Sequence, residues 1–251
     1  MRLPLYFISD SHIGMQVNES EIKRRNKLYK LFDQIKSTGG TLIIGGDFFD
    51  FWFEFDRKTP KIYSDVFKEL ESLKDNGIDI HYVAGNHDYW NFGYFESTFL
   101  KSFYKDDLSI NEFGLKILVT HGDGLLKSDT GYRALKKVIR NKIFIFLFKL
   151  FGEKIGYKIG SKASAYYPHY YQKKQSNKSK EQNSDEIKSD ILEYANNMWS
   201  DGYDVVLVGH YHKKEIIKDG QKLLIFLGDW MKHYSITKFD GKEWTQFSWN
   251  E

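Results

Sequence analysis

The sequence predicts an α/β fold that gathers its functional residues at the ends of strands. Three observations carry that prediction. Apolar runs of strand length alternate with stretches of helical spacing along much of the chain. Five of those runs stop abruptly at clusters of Asp, His, Asn and Gly. The C-terminal part then changes to short β-like runs separated by turns.

In chain order, Leu3 to Ser9 is an apolar run that stops at Asp10, and Thr41 to Ile44 stops at Gly45-Gly46-Asp47. Between them Ile22, Leu28, Leu31, Phe32 and Ile35 recur near helical spacing from Glu19 to Lys36, and Gly39-Gly40 supplies a stop. Strand, helix and strand make a βαβ unit. A second helix is expected from Ile62 to Leu73, closed by Asn76-Gly77, then a strand from Ile78 to Ala84 ending in Gly85-Asn86-His87-Asp88. Leu115 to Val119 ends in Thr120-His121-Gly122-Asp123, and Asp204 to Val208 in Gly209-His210-Tyr211-His212. Runs at Glu215 to Lys218, Lys222 to Leu227, Tyr234 to Phe239 and Trp244 to Trp249, with turns at Asp219-Gly220 and Asp240-Gly241, read as hairpins. In open α/β sheets ligands bind outside the carboxyl ends of the strands, so five such endings can converge on one crevice.

Composition bounds the chemistry. At 251 residues with 41% hydrophobic content, the chain suits one core with an insertion, 1–124 and 201–251 enclosing 125–200. No cysteine is present, which removes disulfides, thiolate ligands and a Cys nucleophile, so any metal must take nitrogen and oxygen. The start, MRLPLYFISD, lacks the layout of a signal peptide, and a cytoplasmic location is the default expectation. Net charge is a mild +3, but its distribution is uneven: between Leu125 and Lys180 many Lys and Arg residues are opposed only by Asp129 and Glu153. Polar residues dominate Gln172 to Ser184.

Singly, each polar cluster has an ordinary reading. A D-x-H pair such as Asp10 and His12 arises often on surfaces, Asp47 and Asn86 could serve turns, and His121, His210 and His212 could be satisfied or exposed histidines. Order and type together change that reading. D-x-H, G-G-D-x-x-D, G-N-H-D, T-H-G-D and G-H-x-H each follow an expected strand. The chain thereby resembles the calcineurin-like metallophosphoesterases, and the likeness spans everything outside the basic segment.

That resemblance implies a four-layer α/β/β/α sandwich and two divalent metal ions. Asp10, His12, Asp47 and His212 would hold one ion, and Asp47, Asn86, His121 and His210 the other, with Asp47 as the bridge. Paired cations can acidify a bridging water and clamp phosphate oxygens for in-line displacement, so water would be the nucleophile. His87 matches the histidine that protonates the leaving oxygen, and Asp88 would orient it. Manganese is the metal the resemblance favours, although an O/N site also accepts Fe²⁺, Co²⁺ or Zn²⁺.

Within the superfamily the runs GGDFFDFW from Gly45 and GNHDYW from Gly85, His121 to Leu125 with Asp129-Thr130-Gly131-Tyr132, and Gly228-Asp229-Trp230 resemble the UDP-2,3-diacylglucosamine hydrolase family of lipid A synthesis. One departure is His87, where many members carry Arg. The resemblance implies cleavage of the pyrophosphate to UMP and 2,3-diacylglucosamine 1-phosphate, with the insertion as a helical lid and Asn86, His87, Asp129, Tyr132 and Ser161 as substrate contacts.

The insertion is an independent clue. Ile143 to Phe151 reads IFIFLFKLF, too short for the roughly 20 residues a bilayer span needs. An apolar, basic helical segment suits acyl chains and an anionic membrane surface, and a peripheral place on the inner face of the cytoplasmic membrane follows. Alternatives are helices that simply pack on the core, a phosphodiesterase or phosphatase acting on nucleotides or another phosphoester, a scaffold without chemistry, and a nuclease. Intact ligands argue against the scaffold, and lysines interleaved with Ile, Leu and Phe argue against nucleic acid.

Overall fold

Two sheets stacked face to face organise the computed structural model, which describes residues 1–56, 58, 60–174 and 180–250, and side chains outside 164–183. Strand β1 (Leu5–Ile8) leads to helix α1 (Glu19–Thr38) and to β2 (Thr41–Ile44), which pairs parallel with β1. The helix starts where Asn18 accepts a hydrogen bond from the Glu21 amide at 2.9 Å, with Glu19 and Glu21 facing the positive end of its dipole. It buries Leu28, Leu31, Phe32 and Ile35 along one stripe and stops at Gly39, whose φ of 73° suits glycine. Helix α2 (Ser64–Asp75) follows a 3₁₀ turn at Lys61–Tyr63 and buries Val66, Phe67, Leu70 and Leu73.

After α2 come β3 (Asp79–Val83), the short α3 (Tyr94–Thr98), β4 (Ser102–Tyr104), β5 (Leu108–Glu112) and β6 (Leu115–Thr120). Helices α4 (Thr130–Ile139), α5 (Lys142–Lys149), α6 (Gly152–Lys174) and α7 (Lys180–Ser200) precede β7 (Val205–Val208), β8 (Lys214–Asp219), β9 (Lys222–Leu227), β10 (Ser235–Phe239) and β11 (Trp244–Ser248). The first sheet runs β11-β10-β1-β2-β3-β4 and the second β5-β6-β7-β9-β8.

Alternation along the strands builds the layers. Leu5, Phe7, Ile43 and Val83 face the second sheet and meet Ile117, Val119, Leu207 and Ile225. Their neighbours Tyr6, Ile8, Leu42, Ile44, Ile80 and Tyr82 face the other way, into the core beneath α1 and α2. On the far side Leu118, Val206, Val208, Leu224 and Phe226 pack with Ile191, Ala195 and Trp199 of α7. The result is the expected four-layer α/β/β/α sandwich. Each fully buried aliphatic side chain contributes roughly 1.5–3 kcal/mol, and slipping one strand by one residue would send a whole set to the wrong layer.

The segment 125–200 has two kinds of packing. Helix α7 is the fourth layer of the sandwich. Helices α4 to α6 instead cover the loops after β2 and β3, where Phe51, Phe53 and Trp90 meet Ile139, Ile145, Phe148 and Tyr157. Glycines let α6 come close: a Cβ on Gly156 would lie 2.1 Å from Phe55 Cζ, and one on Gly160 2.3 Å from Phe51 Cδ1. Only one face of α5 packs, since Ile143, Phe146 and Leu150 remain 70%, 63% and 69% exposed. Among the described residues no helix is long and apolar enough to cross a membrane. Of the basic segment, the side chains of Lys173, Lys174, Lys178 and Lys180 lie outside the described residues, as does most of the polar stretch Gln172 to Ser184.

Candidate metal centre

Strand ends deliver every candidate ligand to one place. Asp10 and His12 follow β1, Asp47 follows β2, Asn86 and His87 follow β3, His121 follows β6, and His210 and His212 follow β7. Five of them sit in the left-handed region that L-residues avoid, with φ of 52° at Asp10, 40° at His12, 50° at Asp47, 64° at His210 and 52° at His212. Such strain costs of order 1 kcal/mol or more per residue and persists only where the surroundings over-determine it. Here the loops clamp each other, with the Asp10 amide donating to Gly46 O at 3.0 Å and the His12 amide to Asp47 O at 2.9 Å. Gly85 is required for a different reason: a Cβ there would lie 2.0 Å from Asp47 Oδ1.

The side chains form three overlapping groups, Asp10 with His12 and His212, His12 with Asp47 and His87, and Asp47 with His121 and His210. Ligand atoms within each group lie within 4.8 Å of one another. Asp47 Oδ2 sits between the outer groups, 3.7 Å from His12 Nε2 and 3.3 Å from His121 Nε2. Asn86 joins at the second end, its Oδ1 3.2 Å from His121 Nε2. Two hydrogen bonds orient the rings. His121 Nδ1 is 2.9 Å from Gly45 O and His87 Nδ1 is 2.6 Å from Asp50 O. A carbonyl only accepts, so each Nδ1 carries a proton, and both Nε2 atoms face the cluster.

Electrostatics follow from burying opposite charges together. Burial would raise the Asp47 carboxyl, but His121, His87 and His12 hold it well below the usual carboxylate range. Burial would lower His121, yet Asp47 and Asp10 beside it push it up to about 10. Burial and the neighbouring His121 push His210 down to about 4, leaving it neutral. The residues fit a pair of divalent ions. Among the described residues Asp10 Oδ1 and His12 Nε2 are buried without a hydrogen-bond partner, and an orphaned buried polar atom costs about 1–3 kcal/mol unless something such as a cation takes its lone pair. Their chemistry, carboxylate oxygen and imidazole nitrogen, suits the borderline first-row metals.

The other expected residues have mixed placements. The Asp88 carboxylate accepts from the amides of Gly85 at 2.9 Å, Asp47 at 3.3 Å, Phe48 at 2.7 Å and Phe49 at 3.3 Å, and from the Tyr82 hydroxyl, which anchors the turns that carry Asp47 and His87. Full burial explains this, because a charge there needs several donors. Tyr132 donates to Asp123 Oδ2 at 2.7 Å, Asp129 is buried at the start of α4, and Ser161 lines a cleft beside Asp50 and Met231. Sequence reasoning missed Asp50, whose carbonyl holds His87 and whose Oδ1 is 3.8 Å from His12 Nδ1. The second Asp of G-G-D-x-x-D was the available signal. Ser9, donating to Asp10 Oδ2 at 2.5 Å, had none.

The calcineurin-like phosphoesterase family matches residues 3–214. UDP-2,3-diacylglucosamine hydrolase of Porphyromonas gingivalis is 24% identical over 96% of this chain and 95% of that protein. The proteins of that name from Neisseria meningitidis and Haemophilus influenzae are each 27% identical, over 95% and 94% of both chains respectively. A solved archaeal phosphodiesterase aligns over 98% of this chain and 99% of that one, with 16% identity and a TM-score of 0.47. A domain match of this extent, carried on a two-sheet sandwich with His/Asp groups at its strand ends, implies divalent metal ions. The chain belongs to the calcineurin-like phosphoesterase family and is a hydrolase of the metallophosphoesterase type.

Proposed function

We propose that the protein hydrolyses the pyrophosphate of UDP-2,3-diacylglucosamine, releasing UMP and 2,3-diacylglucosamine 1-phosphate. The observation that carries this reading is a shared-carboxylate His/Asp cluster lying beside loops covered by an aromatic-lined helical cap. Relatives named for that activity match nearly the whole chain, cap included.

In this reading Asp10, His12, Asp47 and His212 hold one ion and Asp47, Asn86, His121 and His210 the other, with Mn²⁺ the expected metal. When bound, the ions neutralise phosphate charge and lower the pKa of the attacking water. His87 presents Nε2 on the cluster side, 3.9 Å from Asp47 Oδ2, and as the doubly protonated ring, with Nδ1–H kept on Asp50 O, it can give the Nε2 proton to the leaving oxygen. Asp47 keeps the His87 amide at 2.8 Å through its other oxygen, and Asp88 fixes the turn that carries Asp47. The sandwich, 1–124 and 201–251, takes α7 as its outer layer, which leaves α4 to α6 as the lid.

The lid would receive the acyl chains along Phe51, Phe55, Phe148 and Tyr157, with Asp129, Tyr132 and Ser161 at its edges. Its outer face, Ile143, Phe146, Leu147 and Leu150 flanked by Lys142, Lys149 and Lys154, suits an anionic membrane surface. Comparing the diacylated substrate with the same nucleotide sugar lacking acyl chains tests the substrate. A preference of at least about a hundredfold in kcat/KM is expected, because two buried chains supply several kcal/mol at about 0.8 kcal/mol per CH₂. Equal rates on both, or preference for a nucleotide diester, would return the lid to another ligand.

A further inference from the structure

One face of α4 converges on a single carboxylate outside the ligand set. Tyr132, Lys136 and Arg140 recur every four residues, which stacks them on one side of the helix. All three reach Asp123 Oδ2, Tyr132 Oη at 2.7 Å, Lys136 Nζ at 2.8 Å and Arg140 Nη2 at 3.3 Å. Asp123 is 8% exposed and lies two residues beyond His121. Arg140 goes further than the others. Its Nη2 is 3.5 Å from Gly85 O, and its guanidinium lies 4.0 Å over the ring of Tyr89. Next to it, the Ile139 carbonyl accepts from Trp90 Nε1 at 3.1 Å.

We propose that Arg140 is a positioning residue for the hydrolytic centre, tying the loop of Asn86 and His87 to the loop of His121 through Gly85, Tyr89 and Asp123. The inference rests on the assignment of those residues to the centre. Its physical basis is geometric. Asn86 and His121 come from different sheets, so nothing within either sheet fixes their separation. Arg140 spans the gap with a flat cation that can hydrogen-bond at its edge and stack on its face at once. Lysine carries the same charge without that plane. Gly85 adds weight to the role, because a Cβ there would lie 2.0 Å from Asp47 Oδ1, so the backbone that Arg140 contacts is packed directly against that carboxylate.

Arg140→Gln and Arg140→Lys, with Val138→Ala on the exposed face of the same helix as control, test the proposal. Three readouts are compared: kcat against KM, Mn²⁺ titration of metal-stripped protein, and amide exchange at Gly85–Asp88 and His121–Asp123. Removing a supporting contact of this kind costs about 10–100-fold in affinity or activity. Both Arg140 variants should therefore lose kcat by at least about tenfold with KM within about twofold, and lysine should not rescue. Exchange at both loops should quicken. Full rescue by lysine, a loss confined to KM, or unchanged exchange overturns the proposal. Exchange also separates this inference from the assignment beneath it: wild-type protein that takes up no pair of Mn²⁺ ions removes the metal centre, while the two loops still must loosen in Arg140→Gln if Arg140 positions them.

Discussion

Asp47 sits at the meeting point of the cluster, and two predictions concern the residues around it. His121 is held protonated up to about 10 by Asp47, against the effect of its own burial. Its folded pKa lies above the ordinary value, so at pH 7 the ring carries a proton that an ion taking Nε2 must displace. Metal affinity should then rise with pH, by about tenfold per unit between pH 6 and 8 for one displaced proton. Mn²⁺ titrations at those two values check this, and a flat response would contradict the assignment of His121. Asp88→Asn tests the anchoring role of that carboxylate. It removes a charge from several converging donors, and each hydrogen bond to a charged group is worth about 1.5–3 kcal/mol, so denaturation should report a loss of at least about 3 kcal/mol. The clustered Asp, His and Asn residues were legible because their types and order are specific. Asp50 had its motif position as a signal, but its carbonyl contact to His87 has no mark in side-chain type, and Asp123 acts through partners that only α4 brings to it.

Elements were legible where apolar period and punctuation agreed. Helix α1 has both an Asn18 cap and a Gly39 stop, and it runs two residues past the expected Lys36. Elements α3 and β4 escaped because they span only five and three residues, and β5 because it offers just Leu108 and Ile110 as apolar positions. IFIFLFKLF was readable as a helix that does not span a bilayer, but nothing in the string says that Phe148 turns inward while Phe146 turns out. Two substitutions probe those faces. Gly160→Leu places a side chain where even a Cβ meets Phe51 Cδ1 at 2.3 Å, so α6 or the Phe51 ring must shift. KM for the diacylated substrate should rise at least about tenfold, while cleavage of a small aryl phosphodiester by the same preparation stays unchanged. Phe146→Ser with Leu150→Ser acts on the outer face. Cosedimentation with vesicles containing an anionic lipid should fall several-fold, with detergent-phase activity retained, because each removed side chain gives up roughly 1.5–3 kcal/mol of burial in lipid.

At the scale of the molecule, the fold does one thing for the chemistry: it brings the C-terminal ends of β1, β2 and β3 from one sheet against those of β6 and β7 from the other. Layer order could be anticipated only through family resemblance, because alternation in a strand says that two faces are buried without naming what lies against each. The place of α7 shows this, since its sequence is contiguous with α4 to α6 but its Ile191, Ala195 and Trp199 complete the sandwich. The central claim is metal-dependent cleavage of a lipid-linked pyrophosphate at the Asp47 cluster. Its most direct test is UMP release from UDP-2,3-diacylglucosamine in detergent by metal-stripped protein, with and without Mn²⁺, beside Asp47→Ala. The account predicts release that requires Mn²⁺ and falls on the order of a thousandfold or more in the variant, since one substitution removes a ligand from both ions. Release that ignores Mn²⁺ or survives in Asp47→Ala, or no release from an enzyme that cleaves a simple aryl phosphodiester with Mn²⁺, would contradict it.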